Sequence, residues 1–257
     1  MLLAIDVGNT NITLGVYHQG QLQADWRIRT QRDRTADEHA SILLRLLDHR
    51  GIACSQIHGV AISNVVPTMT DALVGLARRY FGMDPFMVGP NTEFGISIHY
   101  RPPSDVGADR LVNAIAAFHH YGGPAIVVDF GTSTTFDVIG TTGDYLGGAI
   151  APGIGISTDA LFQRAARLYR VELTAPAHAI GTNTVEAMQS GIMFGFAGQV
   201  DAVVERITKE LPAKPRVIAT GGLAERIHKL SRTIELVDPM LTLDGLYLLY
   251  VRNVGHE

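Results

Sequence analysis

The 257-residue chain carries one cysteine, Cys54, and one tryptophan, Trp26. A single thiol excludes an intrachain disulfide framework and fits a reducing compartment. Blocks of basic residues are missing and the net charge is −4, so the electrostatic footprint of a nucleic-acid binder is absent. No apolar run approaches the ~18 residues that span a bilayer. The N-terminus has no cationic stretch, and Asp6 interrupts its apolar run too early for a secretory signal. Histidines number 10, but His18, His49 and His58 are scattered and His119–His120 faces a helix end, so none has metal-ligand spacing. No Ser/His/Asp arrangement is indicated. The expectation is a soluble cytoplasmic protein with no membrane or nucleic-acid partner.

What is present is core material: 46% of residues are hydrophobic and 18% charged, enough for one large or two small domains. Leu2–Ile5 reads as a buried strand entering from the N-terminus. Asp6 breaks it, Gly8-Asn9-Thr10-Asn11 is a turn cluster, and strand character resumes from Ile12 to Tyr17. One reading is a hairpin whose Asp and Asn side chains bond their own turn. The other is a phosphate loop, with turn amides cradling phosphate and the carboxylate holding hydrated Mg²⁺.

A second copy favours the latter. Ala125-Ile126-Val127-Val128-Asp129-Phe130-Gly131-Thr132 repeats the run, the acid and the turn, and a strand follows from Ser133 to Val138. Asp129 follows Asp6 by 123 residues, nearly half the chain. Duplication at half-length is an architectural statement. It predicts two hairpins facing one another across a cleft, around one polyphosphate.

The remaining periodicity fits an α/β protein. Gln21–Arg29 alternates as a third strand. Thr35-Ala36-Asp37-Glu38 is a capping box that opens a helix with the stripe Ile42, Leu43, Leu46 and Leu47, ending at Gly51. Strands at 57–63 and 85–88 and helices at 67–81 and 109–121 complete a half at 1–120. The second half, 121–257, should hold strands near 124–130, 133–139, 143–148, 215–220 and 234–237. Its helices are expected near 154–170, 184–210, 222–230 and 242–253. Each half is then a mixed sheet flanked by helices. The tail 254–257 has no motif and is expected to be disordered. Gly191, Gly195 and Gly198 share a face of the long helix and should admit a neighbouring helix, in core packing sooner than at a dimer seam.

Tyr100-Arg101-Pro102-Pro103-Ser104-Asp105-Val106-Gly107-Ala108-Asp109-Arg110 precedes a helical stripe. Asp109 there suits a first-turn acid favoured by the helix dipole, which should keep it ionised. That role is compatible with general-base work. Gly107 and Ala108 leave room for a substrate, and Arg110 offers a partner for phosphate or carboxylate. Thr220-Gly221-Gly222 follows an apolar strand, as a plain turn or as a shelf for adenine or ribose.

The paired strand-Asp-x-Gly hairpins resemble those of the acetate kinase, sugar kinase, Hsp70 and actin superfamily, whose halves share a ribonuclease-H-like fold. Asp6-Val7-Gly8-Asn9-Thr10, Gly107-Ala108-Asp109-Arg110, Asp129-Phe130-Gly131-Thr132, Gly147-Gly148-Ala149-Ile150-Ala151-Pro152-Gly153 and Thr220-Gly221-Gly222 occur in that order. As a set they resemble type III pantothenate kinases from residue 2 to about 253. The resemblance implies ATP-dependent phosphorylation of pantothenate to 4′-phosphopantothenate, the first step toward coenzyme A. It implies Asp109 as catalytic base, ATP phosphates held by Asp6, Val7, Gly8, Asn9, Thr10, Asn11, Ile12, Thr13 and Thr132, and Mg²⁺ bound through water at Asp6. Asp129 matches the site of a required K⁺ or NH₄⁺. Tyr100, Gly107, Ala108, Asp109, Arg110 and Thr184 match pantothenate-contacting positions, in a homodimer whose acceptor pocket lies near the subunit interface. The rival readings are a superfamily kinase for another small alcohol and a non-catalytic regulator resembling the Bvg accessory factor.

Overall fold

The computed structural model describes residues 1–164 and 168–255. They form two compact units: Met1–Gly95, Arg101–Ala116 and the residues from Leu241 onward make the first, Ile96–Tyr100 and Ala117–Met240 the second. In the first unit, β1 (Leu2–Val7), β2 (Asn11–His18), β3 (Gln21–Arg29), β4 (Gly59–Asn64) and β5 (Phe86–Met87) form a five-stranded sheet in the order β3-β2-β1-β4-β5. In the second, β6 (Ala125–Phe130), β7 (Ser133–Ile139), β8 (Tyr145–Pro152), β9 (Arg216–Gly221) and β10 (Leu236–Val237) are ordered β10-β9-β6-β7-β8. Matched by rank, the two orders are the same. The duplication expected from the two hairpins extends to the whole topology.

Both sheets are mixed. β1 pairs antiparallel with β2 and parallel with β4, and β6 does the same with β7 and β9. Central strands covered on both faces must be apolar throughout: Leu2, Leu3, Ala4 and Val7 are fully buried, as are Ala125 to Val128. The acids, Asp6 and Asp129, are the half-buried exceptions.

Helix α1 (Ala36–His49) begins as expected. Thr35 Oγ1 accepts from the Glu38 N–H at 3.3 Å, and Glu38 accepts from the Thr35 N–H at 2.8 Å. Its buried face is Ala36, His39, Ala40, Leu43 and Leu47, with Ile42 and Leu46 at the margin. The expected single helix 67–81 is instead a 3₁₀ turn (Pro67–Met69), α2 (Thr70–Leu76) and a π turn (Ala77–Phe81). α3 (Ala108–Tyr121) follows. α4 (Ile154–Arg164) stops short of the expected 170; residues 165–167 lie outside the described residues, and 168–170 are not helical. α5 (Thr184–Thr208) and α6 (Ala224–His228) complete the second unit's helices. Of the tail, Val254 is helical and residues 256–257 lie outside the described residues.

The last helix, α7 (Leu241–Val254), joins the first unit rather than the sequence-adjacent second one. The Tyr17 hydroxyl donates to Asp244 Oδ1 at 2.5 Å, and the Tyr17 and Tyr247 rings stack with centroids 4.9 Å apart. The Thr242 hydroxyl donates to Asn113 on α3 at 2.7 Å, and Gly245 sits against the Val112 carbonyl with no room for a side chain. Such partners lie too far along the chain to be read from periodicity.

Two further expectations change. The strand expected near 143–148 extends through the glycine-rich segment: β8 runs to Pro152, paired with β7 from Ile139↔Tyr145 to Ser133↔Pro152. An edge position makes this tolerable, because a glycine-rich strand there has only one neighbour to satisfy. Gly191, Gly195 and Gly198 on α5 have nothing within 4 Å of where a Cβ would stand, so this face meets no neighbouring helix among the described residues.

α5 is tied instead through Asp201, which is 4% exposed. Its carboxylate accepts from Ser231 Oγ (2.6 Å), Thr233 Oγ1 (2.9 Å) and the Arg232 N–H (3.0 Å). Burial alone would raise its pKa, but these bonds together hold it below the ordinary value. A lowered carboxylate contributes stability that is complete above its unfolded pKa of about 3.9 and is lost as pH falls through the folded one. Asp201→Ala should therefore cost about 2 kcal/mol at neutral pH by leaving buried donors unpaired. In denaturant unfolding, its gap to the unaltered protein should narrow in acid.

Candidate active site

The first acid turn sits at the carboxyl end of β1, where open α/β sheets place their ligands. The last pair across the hairpin is Val7↔Ile12, leaving residues 8–11 as the turn. The Gly8 N–H donates to the Asn11 carbonyl at 3.0 Å, closing it. The end of β3 braces it from outside. Thr30 Oγ1 donates to the Gly8 carbonyl at 2.6 Å, the Thr30 N–H to the Thr10 carbonyl at 3.0 Å, and Arg32 to Asn9 Oδ1 at 3.0 Å. Asn9 and Thr10 are exposed at the tip. Asn9 is thus held by Arg32, beyond its own turn.

The second turn is one residue shorter. Its last pair is Phe130↔Thr134, and the Gly131 N–H closes it on the Ser133 carbonyl at 3.1 Å. Gly131 and Thr132 are exposed. Gly221, with φ +92°, lies so close that a Cβ there would stand 2.6 Å from Asp129 Oδ1 and 2.8 Å from the Phe130 backbone. The Thr220-Gly221-Gly222 turn is therefore the wall against which the Asp129 carboxylate rests. Its signal in the sequence was only a glycine pair after a strand, which names no partner.

Strand register shows a further symmetry. Asp6 stands between Thr13 on β2 and Ser63 on β4, and Asp129 between Thr135 on β7 and Thr220 on β9. Residues paired across neighbouring strands share a face. Each acid is thus flanked by a hydroxyl residue on both sides. Thr135 Oγ1 donates to Asp137 at 3.0 Å, and the buried Asp137 also accepts from the Tyr145 hydroxyl at 2.8 Å.

Asp109 belongs to the first unit, in the first turn of α3. Gly107 caps that helix through its carbonyl, which accepts from the Arg110 N–H at 3.1 Å. The Asp109 carboxylate folds back over its own turn: Oδ1 accepts from the Arg110 N–H at 2.9 Å and lies where a Cβ at Gly107 would meet it. Arg110 is 6% exposed. The lowering expected from the helix N-terminus is present but is not the larger effect. Burial raises the Asp109 pKa, outweighing the lowering by the Arg110 N–H and guanidinium charge.

Tyr100 lies in the second unit, where the segment 96–100 is stitched to the start of β8. The His99 N–H donates to the Tyr145 carbonyl at 2.8 Å, and the Tyr145 N–H to the Ser97 carbonyl at 2.9 Å. The Tyr100 and Tyr145 ring centroids are 6.4 Å apart. Thr184 is exposed at the first position of α5, next to the Asn183 cap, whose Oδ1 accepts from the Glu186 N–H at 3.0 Å. Residues 6–13 and 107–110 are thus gathered in the first unit, and Tyr100, Asp129, Thr132 and Thr184 in the second. No group of three or more His, Cys, Asp and Glu residues forms a metal cluster among the described residues.

The model of the type III pantothenate kinase family matches residues 2–206. The chain belongs to this family. A type III pantothenate kinase from Moorella thermoacetica (strain ATCC 39073 / JCM 9320) is 53% identical over 253 residues, covering 98% of this chain and 100% of that one. The family makes the chain a kinase. Among solved structures, a Campylobacter jejuni protein assigned to the Baf family of transcriptional activators matches with TM-score 0.62 at 18% identity, covering 98% of each chain. The Clostridium difficile activator of 2-hydroxyisocaproyl-CoA dehydratase, solved with ADPNP, matches with TM-score 0.59 at 12% identity, covering 96% and 94%. At those identities the likeness is one of fold, that of actin-like ATPases and sugar kinases. No helix among the described residues is long and apolar enough to cross a membrane.

The desolvated acid separates stability from catalysis. A raised carboxylate pKa contributes stability below its unfolded value that is lost as pH rises through the folded one. Asp109 is therefore a net cost at neutral pH. Asp109→Asn, which keeps the acceptor for the Arg110 N–H, should melt at the same or a higher temperature than the unaltered protein. A drop of several degrees in a thermal unfolding scan would make Asp109 a structural cap.

Proposed function

We propose that the chain transfers the γ-phosphoryl group of ATP to the primary hydroxyl of pantothenate, giving 4′-phosphopantothenate for coenzyme A synthesis. The observation that carries this reading is the half-buried, desolvated Asp109 carboxylate within the Gly-Ala-Asp-Arg turn, in a chain 53% identical to a type III pantothenate kinase. Asp109 acts as general base. Its pKa is raised toward neutrality by burial, which brings it closer to the value at which proton acceptance is most effective. The acceptor alcohol is a much weaker acid, so its proton moves late, as the new P–O bond forms. Tyr100, Gly107, Ala108, Arg110 and Thr184 bind the pantothenate.

Phosphoryl transfer passes through a loose transition state, so positioning and charge neutralisation supply most of the catalysis. The turn from Asp6 through Val7, Gly8, Asn9, Thr10, Asn11 and Ile12 to Thr13, with Thr132 in the second turn, holds the ATP phosphates. Asp6, half-buried at a strand end, suits Mg²⁺ bound through water, since that ion keeps most of its hydration shell. Asp129, resting on Gly221, suits K⁺ or NH₄⁺. When bound, these cations would offset repulsion between carboxylate and phosphate, roughly 3 kcal/mol for unit charges ~5 Å apart at an effective dielectric of ~20.

A homodimer completes the reading. What supports it is exposed apolar surface: Leu146 and Ile150 on the edge strand β8 are 40% and 61% exposed, and the glycine face of α5 is open.

A coupled ADP-release assay with pantothenate against a panel of small alcohols tests the substrate. Asp109→Asn should lower kcat by roughly 10²–10⁴-fold. In the unaltered enzyme, kcat/KM should fall as pH drops through the raised Asp109 pKa, at a higher pH than an ordinary carboxylate would give. Near-normal turnover in the variant would remove the base. In a separate assay, sodium-only buffer should give low activity that K⁺ or NH₄⁺ restores, and Asp129→Ala should lose the response; equal rates in both buffers would discard the cation site. Sedimentation should give about twice the chain mass of 27.8 kDa, and a fully active monomer would refute the dimer.

A further inference from the structure

We propose that Ser63 is an additional ligand-binding residue of the nucleotide site, its hydroxyl bonding the hydrated magnesium–polyphosphate group held beside Asp6. The inference rests on the reading of Asp6 given above. Ser63 is fully buried, and its Oγ has no hydrogen-bond partner among the described residues. A buried hydroxyl without a partner costs stability, and the rest of its strand shows that apolar residues fit there. Val60, Ala61 and Ile62 precede it on β4 and are buried to 1% exposure or less. A packing role alone would be met by alanine.

Its position is that of a residue waiting for a ligand. Ser63 is the parallel partner of Asp6, so both side chains leave the same face of the sheet at the carboxyl ends of β1 and β4. It does not shape the strand end. That task falls to Asn64, whose Oδ1 accepts from the Val66 N–H at 2.8 Å and whose amide donates to Thr70 Oγ1 at 3.1 Å. The duplicated sheet places a hydroxyl at the same point, Thr220 beside Asp129, again 2% exposed. Both acids thus have a buried hydroxyl neighbour on the parallel side, on strands otherwise apolar at their centres.

The test separates a ligand role from a structural one. Thermal unfolding without ligand and calorimetric titration with Mg·ADP are measured for the unaltered protein, Ser63→Ala and Ser63→Cys. The ligand-free Ser63→Ala protein should melt at the same or a higher temperature, since an unpaired group has been removed. Its Kd for Mg·ADP should rise about 3- to 10-fold, the loss of one hydrogen bond. Ser63→Cys replaces the hydroxyl by a slightly larger thiol that is a weaker donor, should lose affinity in the same direction, and serves if alanine fails to fold. Affinity equal to that of the unaltered protein in a folded variant overturns the proposal, as does a lower melting temperature with unchanged affinity. An unaltered protein that does not bind Mg·ADP would instead overturn the reading of the Asp6 turn itself.

Discussion

A carboxylate at the end of a fully buried central strand is the constraint on which the structure depends. β1 and β6 are sealed on both faces along their length, and an ionised acid cannot be sealed with them without a large desolvation cost. Asp6 and Asp129 therefore lie where each strand leaves the core, and each stays half-buried. The tight turn that follows keeps the backbone from covering the acid. The hydroxyl residues on either side supply polar neighbours without further charge. One local solution has been used twice, with the first turn longer by a residue.

Asp109 solves a different problem. It is not at a strand end but in a helix's first turn, where dipole and backbone N–H groups ordinarily favour the charged form. Here burial wins, and the carboxylate is driven toward its neutral form. Stability is given up at a single position, and the basicity gained there is what a proton acceptor needs. Asp201 shows the opposite outcome. It is more deeply buried, yet hydroxyls and N–H groups from residues 231–233 lower its pKa, and it ties α5 in place. The two acids on two helices differ in sign because one meets several donors and the other mainly its own turn.

The local features of the chain could be read from its order of residues. The apolar runs ending in Asp6 and Asp129, the Thr35–Glu38 capping box and the start of α3 near Asp109 all rest on interactions within a few residues. So does the repeat, because a hairpin's register follows from its own alternation. The extent of α2 and α4 was less accessible, since 3₁₀, π and irregular turns keep nearly the helical periodicity while changing its hydrogen bonds.

Tertiary contacts decided the rest. α7 joins the first sheet through Tyr17 and Asp244, 227 residues apart, a pairing that no local pattern encodes. Burial of Asp109 depends on what packs over it, so its pKa ran opposite to the helix-terminus expectation. The open glycine face of α5 and the strand through Gly147 and Gly148 depend on whether a neighbour happens to be present. Ser63 drew no notice in the sequence, as one small polar residue after an apolar run. Only the parallel register of β1 and β4 sets it beside Asp6. Sequence by itself determined which residues could turn, cap and ionise; the fold determined which of them meet, because desolvation and pairing are set by neighbours distant along the chain.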